Sequence, residues 1–191
     1  MLENIIDKLL NRYYPWEYSE SVFDIDYRKL AADGFKAVIF DIDNTLVHHG
    51  DDSTPEIDRL FEEIHSAGLK TLLLTNNDEE RVLRFIRNID TLYVCDAEKP
   101  DTAGYKKALG LLEVTADQAV CAGDQLFTDV LGANKAGIPS VLIHYIYIPG
   151  VTKIGKKRYI EKLIMWFWSR SKRYSHRLGS IIKKENQNVL E

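Results

Sequence analysis

The sequence has little cysteine and no long apolar stretch, and both absences narrow the class of protein. Its two cysteines, Cys95 and Cys121, match no metal-binding or redox spacing, so we expect buried, reduced thiols, as in a cytoplasmic protein. No apolar run approaches the roughly 18 residues of a membrane-spanning helix. Acidic residues (Glu3, Asp7) stand near the N-terminus, which argues against a secretory signal. The composition therefore predicts a globular cytoplasmic protein.

The charge is distributed unevenly along the chain. From Val151 onward there are 11 Lys and Arg against 3 Asp and Glu, whereas the preceding 150 residues hold 14 against 26. We therefore divide the chain into an N-terminal helical segment packed on the core (1–34), an α/β domain (35–150) and a basic amphipathic helical extension (151–191). With Trp166 and Trp168, the extension could lie on the anionic inner face of a membrane. Equally, it could pack against its own acidic body or a partner subunit.

Apolar runs and helical stripes alternate through the middle of the chain. The predicted strands cover 36–40, 70–74, 91–95, 119–122 and 140–145. The predicted helices cover 2–13, 26–32, 55–66, 78–89, 100–112 and 127–135, with a further helical stripe from 160 to 181 that is interrupted near 171. This βα alternation predicts a Rossmann-like parallel sheet with helices on both faces.

Polar side chains follow four of the predicted strands. They are Asp41 and Asp43, Thr75 and Asn76, Lys99, and Asp124 and Asp129. Each alone is more often a turn residue, a helix cap or a solvated charge. That reading would have to hold independently four times, whereas one crevice at the carboxyl edge of a parallel sheet explains all of them.

The ordered set of motifs resembles the haloacid dehalogenase superfamily of aspartate-based phosphatases over residues 35–143. Asp41-Ile42-Asp43-Asn44-Thr45 is similar to the family's DxDxT motif, and the other three clusters match its remaining motifs in order. The resemblance implies a phosphomonoester hydrolase with the nucleophile on the central strand. Asp41 would form an aspartyl phosphate, and Asp43 would act as general acid and base.

The same resemblance implies the binding residues. Thr75, Asn76 and Lys99 would hold the phosphoryl oxygens, and Lys99 would also offset the charge of Asp41. The implied cofactor is Mg²⁺. Its implied ligands are Asp41, the main-chain carbonyl of Asp43, Asp124 and, directly or in support, Asp129.

The short connections leave no room for a cap domain over the site. Only 34 positions separate Asp41 from Thr75, and 24 separate Thr75 from Lys99. An uncapped site favours a bulky substrate. Within the superfamily the chain is similar to the capless (subclass IIIA) YqeG-type phosphatases, which are related to phosphatidylglycerophosphate phosphatases, and this implies a lipid-linked phosphomonoester.

Two other functions remain open from the sequence. One is a phosphatase of another bulky substrate, such as a phosphoprotein, a nucleotide or a nucleic acid, although we do not expect nucleic acid as a partner. The other is a catalytically silent binding module. Because none of the expected catalytic positions is lost, the enzyme is the better interpretation.

Overall fold

Six parallel strands of the described chain, residues 2–152 and 155–183, form one sheet in this computed structural model. In chain order they are β1 (Glu17–Ser19), β2 (Ala37–Phe40), β3 (Lys70–Leu74), β4 (Leu92–Val94), β5 (Ala119–Gly123) and β6 (Ser140–Ile143). Their spatial order is β1-β6-β5-β2-β3-β4. The predicted parallel α/β architecture is confirmed.

Helices cover both faces of this sheet. They are α1 (Leu2–Leu10), α2 (Tyr27–Ala32), α3 (Pro55–Ser66), α4 (Glu79–Phe85), α5 (Thr102–Leu112), α6 (Leu131–Lys135) and α7 (Lys157–Trp168). Apolar side chains of α2, α3 and α4 pack on one face, and those of α5 and α6 pack on the other. Helix α7 covers the second face near β6, where Ile164 and Trp168 pack with Leu142.

Strand β2 is central because its sequence is apolar on both faces. All four of its residues are buried, and it pairs with β3 on one side and β5 on the other. Val38 and Phe40 join the core beneath α2 to α4, while Ala37 and Ile39 join the core beneath α5 and α6. A continuous apolar run is typical of a parallel strand that is covered on both faces.

The helices begin where capping residues stand in the sequence. The Thr54 side chain accepts a hydrogen bond from the main-chain N–H of Ile57, and Pro55 takes the first turn of α3. The side chain of Asp26 caps α2 in the same way, by accepting from Lys29 N at 2.9 Å. Each cap satisfies a backbone donor that the first helical turn leaves unpaired.

The structure differs from the predicted elements at several places; for example, the predicted helix 127–135 is α-helical only over Leu131–Lys135, and the predicted strand 140–145 ends at Ile143. Strand β1 was not predicted. It has only three residues, Glu17–Ser19, and they show no clear alternation of apolar and polar side chains. The predicted helix 78–89 ends at Phe85. The stripe predicted from 160 to 181 is helical only as far as Trp168, and turns follow it.

The C-terminal residues that the structure describes are packed on the core. Beyond α7 the chain crosses to the other face, where Ile181 is buried and its carbonyl oxygen accepts from Asp26 N at 2.6 Å. The Trp168 indole N–H donates to the carbonyl oxygen of Pro15 at 2.8 Å. Of the extension predicted over 151–191, residues 153–154 and 184–191 lie outside the described part of the chain. Among the described residues, no helix is long and apolar enough to cross a membrane.

Candidate active site

Three carboxylates and a lysine meet at the carboxyl edge of the sheet. Asp41 directly follows β2, Asp124 directly follows β5, and Lys99 lies in the loop after β4. Asp129 is carried by a single π-helical turn, Leu126–Val130, that leads into α6. Ligand oxygens of the three aspartates lie within 4.8 Å of one another. We call Asp41, Asp124 and Asp129 the carboxylate cluster.

Lys99 bridges two members of the cluster. Its Nζ donates to Asp41 Oδ1 and to Asp129 Oδ1, each at 2.6 Å. Burial acts to lower the pKa of Lys99, but the two carboxylates outweigh it and raise the pKa overall. The Lys99 ammonium therefore lies where it can offset the charge of Asp41.

Burial and mutual repulsion make it unfavourable for all three carboxyls of the cluster to be ionised at once. Burial raises the pKa of Asp41 to about 6; the charge of Lys99 opposes this rise, and that of Asp129 adds to it. Burial, together with the charges of Asp129 and Asp41, raises the pKa of Asp124 to about 8, against the opposing effect of Arg158. Such a site gains stability from a cation that neutralises the excess negative charge.

Asp124 accepts hydrogen bonds from an arginine of α7. The Arg158 guanidinium donates to Oδ2 and to the main-chain carbonyl oxygen of Asp124, and to Glu161 Oε2 at 2.9 Å. Glu161 Oε1 accepts from Leu126 N at 3.1 Å, so α7 is tied to the turn that carries Asp129. Asp124 Oδ1 is buried and has no hydrogen-bond partner within residues 2–152 and 155–183. This orphaned oxygen and the hard-oxygen donor set fit Mg²⁺.

Asp129 can approach the cluster because residue 123 is glycine. A Cβ at Gly123 would lie 2.4 Å from Asp129 Cγ, which no real side chain tolerates. Asp129 Oδ2 also accepts from Gln125 N at 3.0 Å and from Thr128 Oγ1 at 3.3 Å. The Gly-Asp pair at the end of β5 therefore supplies one carboxylate and makes space for another.

Asp43 lies apart from the cluster, among donors of its own. Its Oδ2 accepts from Asn77 Nδ2 at 2.9 Å, and its Oδ1 accepts from Gly50 N at 3.1 Å and from the Arg81 guanidinium at 3.2 Å. Burial acts to raise the pKa of Asp43, but the hydrogen bonds from Asn77 and Gly50 and the charge of Arg81 lower it overall. Metal coordination by its main-chain carbonyl stays a prediction.

The two residues after β3 have different surroundings. Thr75 is buried, and its Oγ1 accepts from Asn77 N at 3.2 Å and from Asn77 Nδ2 at 2.9 Å. Asn76 is exposed, and its Oδ1 accepts from Lys99 N at 2.7 Å. Asn76 thus fixes the loop that presents Lys99, while its predicted contact with substrate stays a prediction.

Four residues of the site were not predicted from the sequence. They are Asn77, Arg81, Arg158 and Glu161. Asn77 adjoins a predicted pair, so its position was an available signal. The two arginines look like solvated surface charges in the sequence, and Arg158 was counted only in the charge of the basic extension. Nothing local marks either as the partner of a particular aspartate.

Comparisons with known proteins point to one family. A family model described as haloacid dehalogenase-like hydrolase matches residues 49–137, a range that includes Lys99, Asp124 and Asp129 but begins after Asp43. "Probable phosphatase YqeG" of Bacillus subtilis (strain 168) is 34% identical over 137 residues, which cover 71% of this chain and 80% of that relative.

Solved structures also align with this chain. An uncharacterized protein from Listeria monocytogenes serotype 4b aligns with a TM-score of 0.50 at 17% identity, over 71% of this chain and 99% of that one. NagD from E. coli K-12 aligns with a TM-score of 0.48 at 16% identity, over 63% of this chain and 94% of that one.

Proposed function

Since the chain belongs to the haloacid dehalogenase-like hydrolases and is a phosphatase of that family, we propose that it hydrolyses phosphomonoesters through a phosphoryl group carried on Asp41. The observation that carries the proposal is the buried Asp41 carboxylate, bonded to Lys99 at 2.6 Å beside two further carboxylates. Covalent catalysis of this kind divides one difficult hydrolysis into two easier steps.

Lys99 has two tasks in this reaction. Its positive charge, buried at the bottom of the site, offsets that of Asp41, so that an anionic carboxylate can approach an anionic phosphate. The same ammonium can stabilise negative charge on the phosphoryl oxygens in the transition state. The Thr75 hydroxyl and Asn76 complete the proposed phosphoryl-binding set.

The proposed cofactor is Mg²⁺, held by Asp41, Asp124 and Asp129 together with the main-chain carbonyl of Asp43. When bound, it would supply positive charge that neutralises the phosphate and the cluster. The protein's own contribution is the rigid arrangement of these oxygens. Arg158 fixes Oδ2 of Asp124 and leaves the orphaned Oδ1 available.

Asp43 is the proposed general acid and base. It has to carry a proton when the ester bond breaks, and it then has to remove a proton from the attacking water. Asn77, Gly50 and Arg81 lower the pKa of Asp43 in the substrate-free site. A phosphate dianion entering beside Asp43 has the opposite effect, since a nearby like charge favours the protonated carboxyl.

Phosphate release from a panel of phosphomonoesters tests the proposal. We expect turnover with Mg²⁺, its loss with EDTA, and its loss in Asp41→Asn. The matched control is Asp90→Asn, an exposed aspartate near the amino end of β4, which should retain activity. Acid-quenched protein should carry hydroxylamine-labile phosphate on Asp41. Undiminished turnover in Asp41→Asn would overturn the mechanism.

The finer proposal for the substrate is phosphatidylglycerophosphate at the inner face of a membrane. It is supported by two short connections beside the site. The connection from β2 to β3 contains one α-helix, α3, and the connection from β3 to β4 contains one α-helix, α4. It is also supported by the exposed apolar residues of the basic helix α7. Ile160 is 53% exposed, Leu163 is 56% exposed and Trp166 is 49% exposed. Such a helix suits a surface of anionic lipid.

Vesicle co-sedimentation tests the membrane contact. We expect binding to phosphatidylglycerol vesicles at low salt, weaker binding at high salt, and little binding to phosphatidylcholine. Leu163→Glu should abolish binding, whereas Leu111→Glu on the exposed side of α5 should not. A panel that also contains phosphopeptides and nucleotides separates a lipid phosphatase from one acting on another bulky substrate.

A further inference from the structure

A cavity of about 340 Å³ lies between α7 and the carboxyl end of β6. Most of the surface of its wall is apolar, although the charged residues Asp124, Arg158, Glu161 and Lys162 also line it. Its lining includes Tyr18, Leu142, Tyr145, Met165 and Trp168. Small-molecule sites are concave, mostly apolar and roughly 300–1,000 Å³ in volume, so this cavity has the size and chemistry of a ligand site.

The cavity is part of the folded structure. Trp168 and Ile164 anchor α7 in the core, and the indole N–H of Trp168 bonds to Pro15. On the other side, the Tyr18 hydroxyl shares a 2.9 Å hydrogen bond with His144 Nδ1. Buried contacts fix the α7 wall, and a hydrogen bond at the surface holds the Tyr18 wall, so a ligand would meet a space that is already formed.

The cavity adjoins the carboxylate cluster. Asp124 and Arg158 line it, and Asp124 also belongs to the cluster. Residues 142–145, which line it as well, lie at the carboxyl end of β6. Open α/β sheets bind their ligands outside the carboxyl ends of the strands. A phosphate held at Asp41 therefore has this apolar space as its neighbour on the β6 side.

We propose that this cavity binds the organic group of the phosphomonoester, and that the enzyme consequently prefers substrates with an apolar chain over small polar ones such as sugar phosphates. The proposal rests on the proposed function and deepens it. Helix α7 thereby takes the place of a cap domain as the element that recognises the leaving group. In phosphatidylglycerophosphate a glycerol and a phosphodiester separate the terminal phosphate from the acyl chains, so the test uses simple alkyl compounds and includes this lipid as a separate arm.

Binding of alkylphosphonates, which cannot be hydrolysed, tests the cavity directly. Isothermal titration with the methyl, butyl, hexyl and octyl compounds should show affinity rising with chain length. Full burial is worth about fourfold for each methylene, equivalent to about 0.8 kcal/mol. The rise should stop when the cavity is full. Equal affinity for all four compounds would overturn the proposal.

Two substitutions on the same helix supply a matched comparison. Met165→Gln places an amide in the cavity wall at similar volume, and it should flatten the dependence on chain length. Tyr159→Gln changes an exposed residue of α7 outside the cavity, and it should leave that dependence unchanged. Near-ultraviolet circular dichroism checks the fold of both variants. If the two variants behave alike, the cavity is not the chain's binding site.

Kinetic measurements separate the cavity proposal from the proposed phosphatase function. Hydrolysis of methyl phosphate with no gain for octyl phosphate would overturn the cavity proposal and leave the proposed function standing. No hydrolysis of any phosphomonoester would overturn the proposed function, while the phosphonate isotherms still decide whether the cavity binds a chain. Turnover of phosphatidylglycerophosphate above that of octyl phosphate would show that the site favours a polar group beside the phosphate, and it would overturn the cavity proposal.

Discussion

Replacing Gly123 by alanine adds one methyl group, and it tests whether Asp129 needs the space that the glycine leaves. The new Cβ would lie 2.4 Å from Cγ, 2.5 Å from Cβ and 2.8 Å from Oδ2 of Asp129. Carbon atoms pack at about 3.5–4.0 Å, so Asp129 has to move by roughly 1 Å. The 2.6 Å hydrogen bond between Asp129 and Lys99 cannot survive that displacement unchanged.

The expected loss of stability follows from these contacts. Overpacking of a buried site costs about 1–3 kcal/mol, and a weakened hydrogen bond between charged groups adds about 1.5–3 kcal/mol. We expect a total near 3 kcal/mol, which corresponds to a fall in Tm of roughly 6–12 °C for a protein of this size. Misplacement of a carboxylate by roughly 1 Å should also lower kcat by about 100-fold.

Urea unfolding and phosphate release measure the two effects. The matched control is Gly110→Ala in α5, where a Cβ meets nothing within 4 Å. That change should raise stability by about 0.5–1 kcal/mol, because alanine favours a helix over glycine. If Gly123→Ala melts within about 1 °C of the parent and keeps its kcat, the proposed tight packing of Asp129 against the backbone is wrong.

Three other substitutions or modifications probe the same centre. Lys99→Met leaves two buried carboxylates without their cation, so we expect a loss of about 3–5 kcal/mol in urea unfolding and a fall in kcat of at least about 100-fold. Arg158→Gln should cost a similar free energy of unfolding, whereas Lys162→Gln, at an exposed position of the same helix, should change it by less than about 0.5 kcal/mol. Burial raises the pKa of the Cys121 thiol, so raising the pH to 9 should not make it react with a disulfide reagent in the native protein. Half-buried Cys95 should be labelled first, and mass spectrometry that found Cys121 modified first would contradict the buried placement.

Much of the site could be predicted because its residues follow strands directly. Asp41 and Asp124 come immediately after β2 and β5, and parallel strands bring such positions to one edge of the sheet. We expect Lys99 to offset the charge of Asp41, and in the structure its Nζ donates a hydrogen bond to Asp41 Oδ1. Its second bond, to Asp129, could not be predicted, because it depends on the glycine that lets Asp129 approach.

The surroundings of Asp43 show why spacing alone was insufficient. The sequence places Asp43 two residues after Asp41, but it does not reveal that Asn77 and Arg81 surround it. These donors lower its pKa, while burial raises that of Asp41. The pKa values of the two carboxyls of one short motif therefore shift in opposite directions, because Asp41 is buried whereas Asp43 accepts hydrogen bonds from Asn77 and Gly50.

The sequence by itself determined five of the six strands, the order of the motifs and the polar residues that follow the strands. These depend on local apolar patterns and on a period shared by neighbouring residues. Tertiary structure alone decided how the basic extension is used. Its Arg158 reaches across 34 positions to Asp124, and its Trp168 closes a cavity beside the carboxylate cluster. Such contacts depend on how distant segments pack, and neither charge nor periodicity within the extension specifies which aspartate an arginine will meet.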